Sequence, residues 1–154
     1  MNIETRFLGP ITINQSQIIT FPDGIPAFEE EKQYILLPME ENAPFFYLQS
    51  VKTPDLCFIL AAPFTFFPAY QVELSEEQET KLQPQSEKDL AVLTVLNIPE
   101  DFKQTTANLM APVIINLNKN KGIQYVPPQS AYNTRQPLFP QNAQTESAAA
   151  QEGK

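Results

Sequence analysis

Histidine and tryptophan are missing from this chain of 154 residues, cysteine occurs once and glycine four times. Without histidine no serine or cysteine triad of the usual kind can be written, and one cysteine cannot complete a His/Cys zinc site. Cys57 has no partner for an internal disulfide. Inside the apolar run LCFILAA it is expected to behave as a buried small hydrophobe rather than a catalytic thiol. Four glycines leave neither a phosphate-cradling loop nor a dinucleotide fingerprint. No catalytic residue, metal ligand or cofactor is therefore assigned. No apolar stretch approaches the roughly twenty residues of a membrane span. The first ten residues lack a basic start followed by an apolar run, so the expected location is cytoplasmic.

Positive charge is also scarce. Ten Lys and Arg face eighteen Asp and Glu, for a net charge of -8. Residues 1–101 carry sixteen acids against five bases, whereas 102–145 carry four bases and no acid. Such a surface repels a phosphate backbone, so direct nucleic-acid binding is not expected, and it suits a basic protein partner. Carboxylates do adjoin at Glu29 to Glu31, at Glu40 and Glu41, and at Glu76 and Glu77. They keep a carboxylate-pair hydrolase open as the rival reading, although solvated charge is the commoner meaning of such clusters. A purely structural component of a larger assembly is the second rival.

What the chain does have is short apolar runs punctuated by fifteen prolines. Ile3, Thr5 and Phe7 alternate with polar residues as in a half-buried strand, which the pair Gly9-Pro10 should end. Further strands are expected at 11–14, 17–21, 33–37, 45–49, 56–62, 89–96 and 123–126. The stretch TTANLMAPVIIN, residues 105–116, reads as the centre of the sheet. Its stiff Val and Ile fit a pleated surface, giving two short strands at 107–110 and 113–117, or one bent strand, with the bend at Pro112. Thr106, Asn108 and Asn116 are read as structural residues that fix this bend, since Asn bonds its own backbone in turns.

Two loops carry large apolar side chains that either fold over the core or offer a surface to a partner. In FPDGIPAFEE, residues 21–30, Pro22 and Gly24 suit a type I turn and Pro26 holds Ile25 extended. In PFTFFPAY, residues 63–70, prolines flank Phe64, Phe66, Phe67 and Tyr70, which suits an ordered loop. One short acidic helix is expected at 75–82, with Ser75 as its cap and Glu76, Glu77 and Glu79 at the positive end of its dipole. After Pro140 no apolar periodicity remains, so 140–154 is expected to be a disordered tail behind a single domain at 1–139. Many short strands and little helix predict an all-β fold, a compact antiparallel barrel-like domain without exposed edges.

These stretches together resemble the flagellar assembly factor FliW family. The residues that carry the resemblance are FPDGIPAFE at 21–29, PFFYLQS at 44–50, APFTFFPAY at 62–70, TTANLMAPVIIN at 105–116, and Tyr132, Arg135, Pro137 and Leu138. They cover nearly all of 1–139. One departure is Ala27 where the family usually has glycine, from which no left-handed backbone is expected there. The resemblance implies a non-enzymatic regulator, monomeric when free, that binds flagellin. When flagellin is scarce it binds the RNA-binding translational repressor CsrA instead, releasing flagellin messenger RNA. Candidate partner-binding residues are the apolar Ile25, Phe28, Phe66, Phe67 and Tyr70 and the acidic Glu73, Glu76, Glu77 and Glu79.

Overall fold

A computed structural model describes residues 1–128 and 130–139. The expected tail at 140–154 lies outside the described residues. The strands are β1 (Asn2–Thr5), β2 (Gly9–Thr12), β3 (Ile19–Thr20), β4 (Gln33–Pro38), β5 (Phe45–Ser50), β6 (Cys57–Ala61), β7 (Leu90–Asn97), β8 (Thr106–Ala107), β9 (Val113–Asn116), β10 (Lys121–Gln124) and β11 (Gln136–Pro137). Two helices, α1 (Pro63–Phe66) and α2 (Glu76–Leu82), lie between β6 and β7.

Seven strands close a ring, β7-β6-β5-β4-β3-β10-β9, because β9 returns to pair with β7. This is the barrel-like all-β fold that the sequence predicts. All of its pairings are antiparallel except β3 with β10, which meet in parallel through Thr20 and Lys121. β8 and β11 extend the sheet beyond β7, and β1-β2 forms a separate hairpin.

Alternation along the strands sorts side chains into distinct cores. Phe21, Tyr34, Leu48, Leu60, Leu93, Val113 and Ile115 fill one, while Tyr70, Leu96, Ala107, Leu109 and Leu138 fill a second. Leu82, Ile114, Ile123 and Tyr125 form a third, and Ile3, Ile13 and Ile35 a fourth beneath the hairpin. On β4, Tyr34 and Ile35 thus serve opposite faces. β9 has apolar layers on both sides, and all four of its residues are buried.

Several sequence expectations shift at their ends. The first strand stops at Thr5 because its hydroxyl donates to the Gly9 carbonyl (2.7 Å) and accepts from the Leu8 amide (2.9 Å), closing a turn over residues 6–8. Gly9 and Pro10 accordingly belong to β2 rather than to the turn. The strand expected at 17–21 is reduced to Ile19–Thr20 by a 3-10 turn at Gln15–Gln17. The strand expected at 107–110 ends at Ala107. There the Asn108 side chain accepts the Ala111 amide (3.1 Å), and the amides of Leu109 and Met110 turn to the Asn133 carbonyl.

The largest correction concerns Ala27, which sits at φ 76°. The left-handed backbone is therefore required, and this chain adopts it without glycine. Its amide donates to Glu29 Oε2 at 3.1 Å, which holds the turn. A Cβ in that region costs about 1–2 kcal/mol, partly offset by the greater freedom glycine has when unfolded. Ala27→Gly is expected to stabilise the protein by about 0.5–1 kcal/mol in urea denaturation. A lower midpoint in the variant would show that the turn carries no such strain.

Candidate partner-binding surfaces

The loop over residues 21–30 is built on the expected turn, with the Gly24 amide donating to the Phe21 carbonyl at 2.9 Å. Gly24 has φ 69°, and a Cβ there would lie 2.5 Å from the Glu29 backbone, so only glycine fits. Pro26 is exposed at the tip. The loop folds back through a bridge between Ile25 and Phe28. Ile25 is 2% exposed and belongs to the core, whereas Phe28 is 40% exposed and sets its ring edge-on against Phe58 at 5.5 Å. Glu31 closes the loop. Its carboxylate accepts from the Ser50 and Thr53 hydroxyls, both at 2.8 Å, and these bonds lower its pKa.

The aromatic stretch at 63–70 begins as the one-turn helix α1, a difference from the expected loop. Pro63 stands at its first turn, where a missing amide costs nothing, and the Phe67 amide donates to the Pro63 carbonyl at 2.7 Å. Tyr70 is 4% exposed, and its hydroxyl donates to the Leu109 carbonyl at 2.7 Å. That makes it a core residue, like Ile25. Phe66 and Phe67 are half-buried with ring centroids 6.5 Å apart.

Phe66 also belongs to a closed set of four rings. Phe45 lies 5.7 Å from Phe66 and 6.5 Å from Phe102, while Phe139 lies 6.4 Å from Phe66 and 5.3 Å from Phe102. Phe102 is 50% exposed at the centre of a polar stretch. Sequence reasoning passed over Phe45, Phe102 and Phe139 as partner residues. Only Phe102 carried a local signal, a large apolar residue isolated between Asp101 and Lys103 where no strand could bury it.

The acidic candidates gather elsewhere, at the start of α2. Ser75 caps the helix by accepting the Gln78 amide at 3.4 Å, as expected, and Glu76, Glu77 and Glu79 occupy its first turn. Glu73, Glu76, Glu77 and Glu79 are all exposed. At the other end Lys81 reaches Asp23 on the 21–30 loop at 2.8 Å. The structure thus separates the candidates into three places: Ile25 with Phe28, Phe66 with Phe67 and Tyr70, and the glutamates in and just before α2.

The residues read as structural hold joints. Asn116 is fully buried and bonds both the end of α2 and the turn before β10, and Pro112 lies just before β9 with its carbonyl accepting the Tyr125 amide. Thr106 pairs with Pro137 in the short β8-β11 ladder, and its hydroxyl finds no partner among the described residues. Cys57 is half-buried, and burial pushes its thiol up to about 11, so it is protonated at neutral pH. Among the described residues no group of three or more His, Cys, Asp or Glu is arranged to hold a metal. No described helix is long and apolar enough to cross a membrane.

Comparison with known proteins agrees with this architecture over almost the whole chain. The profile of the family described as FliW protein matches residues 2–138. The flagellar assembly factor FliW of Syntrophomonas wolfei subsp. wolfei is 45% identical over 156 residues, spanning 99% of this chain and 100% of that protein. Its counterpart in Geobacillus sp. strain WCH70 is 45% identical, covering 92% of this chain and 97% of that one. A crystal structure of the flagellar assembly factor FliW superimposes with a TM-score of 0.87 at 42% identity, covering 91% of this chain and 98% of that chain. Matched by that profile over 2–138 and by relatives of 45% identity along nearly their whole length, the chain belongs to the FliW family of flagellar assembly factors.

Proposed function

We propose that this protein is a non-enzymatic regulator that binds flagellin and, alternatively, the translational repressor CsrA, so that flagellin messenger RNA is translated when CsrA is captured. The observation that carries the flagellin half is the four-ring face of Phe45, Phe66, Phe102 and Phe139, joined to a family whose members are flagellar assembly factors. An amphipathic helix lays its apolar side on such a face. Phe102 is the exposed member of the set and the half-buried Phe45, Phe66 and Phe139 back it, and aromatic rings contribute large contact area for little lost side-chain freedom.

The CsrA half draws its support from charge. A partner of net charge -8 docked beside an RNA-binding surface lowers the local potential and disfavours a polyanion. Glu73, Glu76, Glu77 and Glu79 are the densest part of that charge.

Phe102→Ala tests the flagellin half. Because Phe102 is half exposed, its removal should cost less stability than a core phenylalanine, while weakening flagellin binding about tenfold or more, equivalent to about 1.4 kcal/mol. Titration calorimetry with purified flagellin and a melting curve on the same sample separate the two. A lowered melting temperature with full affinity in the folded fraction would return Phe102 to a packing role.

A further inference from the structure

Just before α2 runs a strap of chain, residues 71–75, and two clefts share its Val72, Glu73 and Leu74 as lining. The cleft facing β7 and β9 has a volume of about 660 Å³. Leu90, Val92 and Ile114 floor it, Leu74 walls it, and Glu73, Glu79 and Glu87 stand on its rim. Among the described residues no Lys or Arg lines it. Three carboxylates around an aliphatic floor, with no lining cation to answer them, make the cleft complementary to a positively charged apolar segment.

A separate feature of the strap points to the shape of that segment. The peptide groups of Val72, Glu73 and Leu74 make no backbone hydrogen bond among the described residues. Unpaired peptide groups beside a groove are what an added strand uses for affinity, while alternate side chains fill the floor for specificity. An extended occupant can place aliphatic side chains over Leu90 and Val92 and basic ones against the three glutamates, because alternate residues of a strand point to opposite sides.

We propose that this cleft docks an extended segment of a protein partner in which Lys or Arg alternates with aliphatic residues. The proposal rests on the reading of the chain as a partner-binding regulator and adds a second docking place, apart from the aromatic face. Glu73 and Glu79 then act by contact within this groove as well as through the long-range field.

The probe is the fluorescein-labelled peptide KVKLKV, with EVELEV as its charge-reversed control, titrated against the full chain. KVKLKV is expected to bind at least tenfold more tightly than EVELEV and to shift the backbone amides of Leu74, Leu90 and Val92 in NMR spectra. The triple variant Glu73→Gln, Glu79→Gln, Glu87→Gln alters only exposed carboxylates and should melt as the parent does. It should weaken KVKLKV at least tenfold at low salt and leave flagellin binding at the aromatic face unchanged. Equal affinity in parent and triple variant, or amide shifts scattered away from the cleft, would overturn the proposal. If the cleft binds KVKLKV while the chain retains neither flagellin nor CsrA, the regulator reading falls and the docking site stands. Flagellin capture without KVKLKV binding removes the docking site alone.

Discussion

Gly122→Ala is expected to destabilise the protein by about 1–3 kcal/mol, the usual cost of one extra carbon in a filled core. In an exposed strand the same change would be mildly favourable, since glycine weakens strands. Here a Cβ would stand 2.5 Å from Phe21 Cζ and within 2.9 Å of both neighbouring ring carbons. The ring cannot retreat, because Phe21 is fully buried and packs edge-on against Tyr34 at 5.2 Å. Phe21→Leu removes part of the obstruction while itself costing stability through lost packing. The double variant should therefore be less unstable than the sum of the two single ones, by more than the roughly 0.5 kcal/mol scatter of independent sites. Strict additivity in urea denaturation would mean that β10 moves outward to admit the methyl group, and that the ring does not define its position.

Asn116→Ala should cost about 3 kcal/mol, because one side chain supplies three joints. Its Nδ2 donates to the Leu82 carbonyl at 2.8 Å, satisfying the C-terminal end of α2. Its Oδ1 accepts from the amides of Asn118 (3.0 Å) and Lys119 (3.2 Å), shaping the turn into β10. Each hydrogen bond contributes only about 0.5–1.5 kcal/mol, but a buried group left without a partner costs about 1–3 kcal/mol. The site is fully buried, so no bulk water replaces the lost bonds without rearrangement. Hydrogen exchange should accelerate first in α2, which Asn116 ties to the barrel. Unchanged α2 protection and a stability loss under 1 kcal/mol would show that the helix is held by Leu82 packing alone.

The central stretch was legible because its chemistry is local. Val113, Ile114 and Ile115 have no polar alternation, and a short continuous apolar run is what a strand buried on both faces requires. The helix at α2 was equally plain, as the Ser75 cap and three glutamates act within one turn. By contrast, the quartet of Phe45, Phe66, Phe102 and Phe139 draws on four distant parts of the chain, and no window of sequence contains it. The left-handed Ala27 was misjudged for another reason. Residue type reports what a position tolerates at low cost, and here Gly24 nearby and the Glu29 side chain hold Ala27 in a conformation that its own preference opposes. For Ile25 and Tyr70 the residues leave burial and partner contact both open, since a loop rich in apolar residues reads alike whether it folds inward or faces a partner, and the structure buries both.

The parallel meeting of β3 and β10 sets the order in which the cylinder can be assembled. β4, β5 and β6 follow one another through short turns, so their pairing encloses little chain. The β3-β10 seam joins Thr20 to Lys121, about a hundred residues away, through a single register pair, with the Thr20 amide donating to the Asn120 carbonyl at 2.8 Å and Asn120 Nδ2 to the Ser16 carbonyl at 2.6 Å. Closing so long a loop carries its full entropic cost before the seam returns any contact. The curled sheet is therefore expected to form first and the ring to shut last, when the Phe21 ring seats against Gly122, a position whose missing side chain leaves room for it.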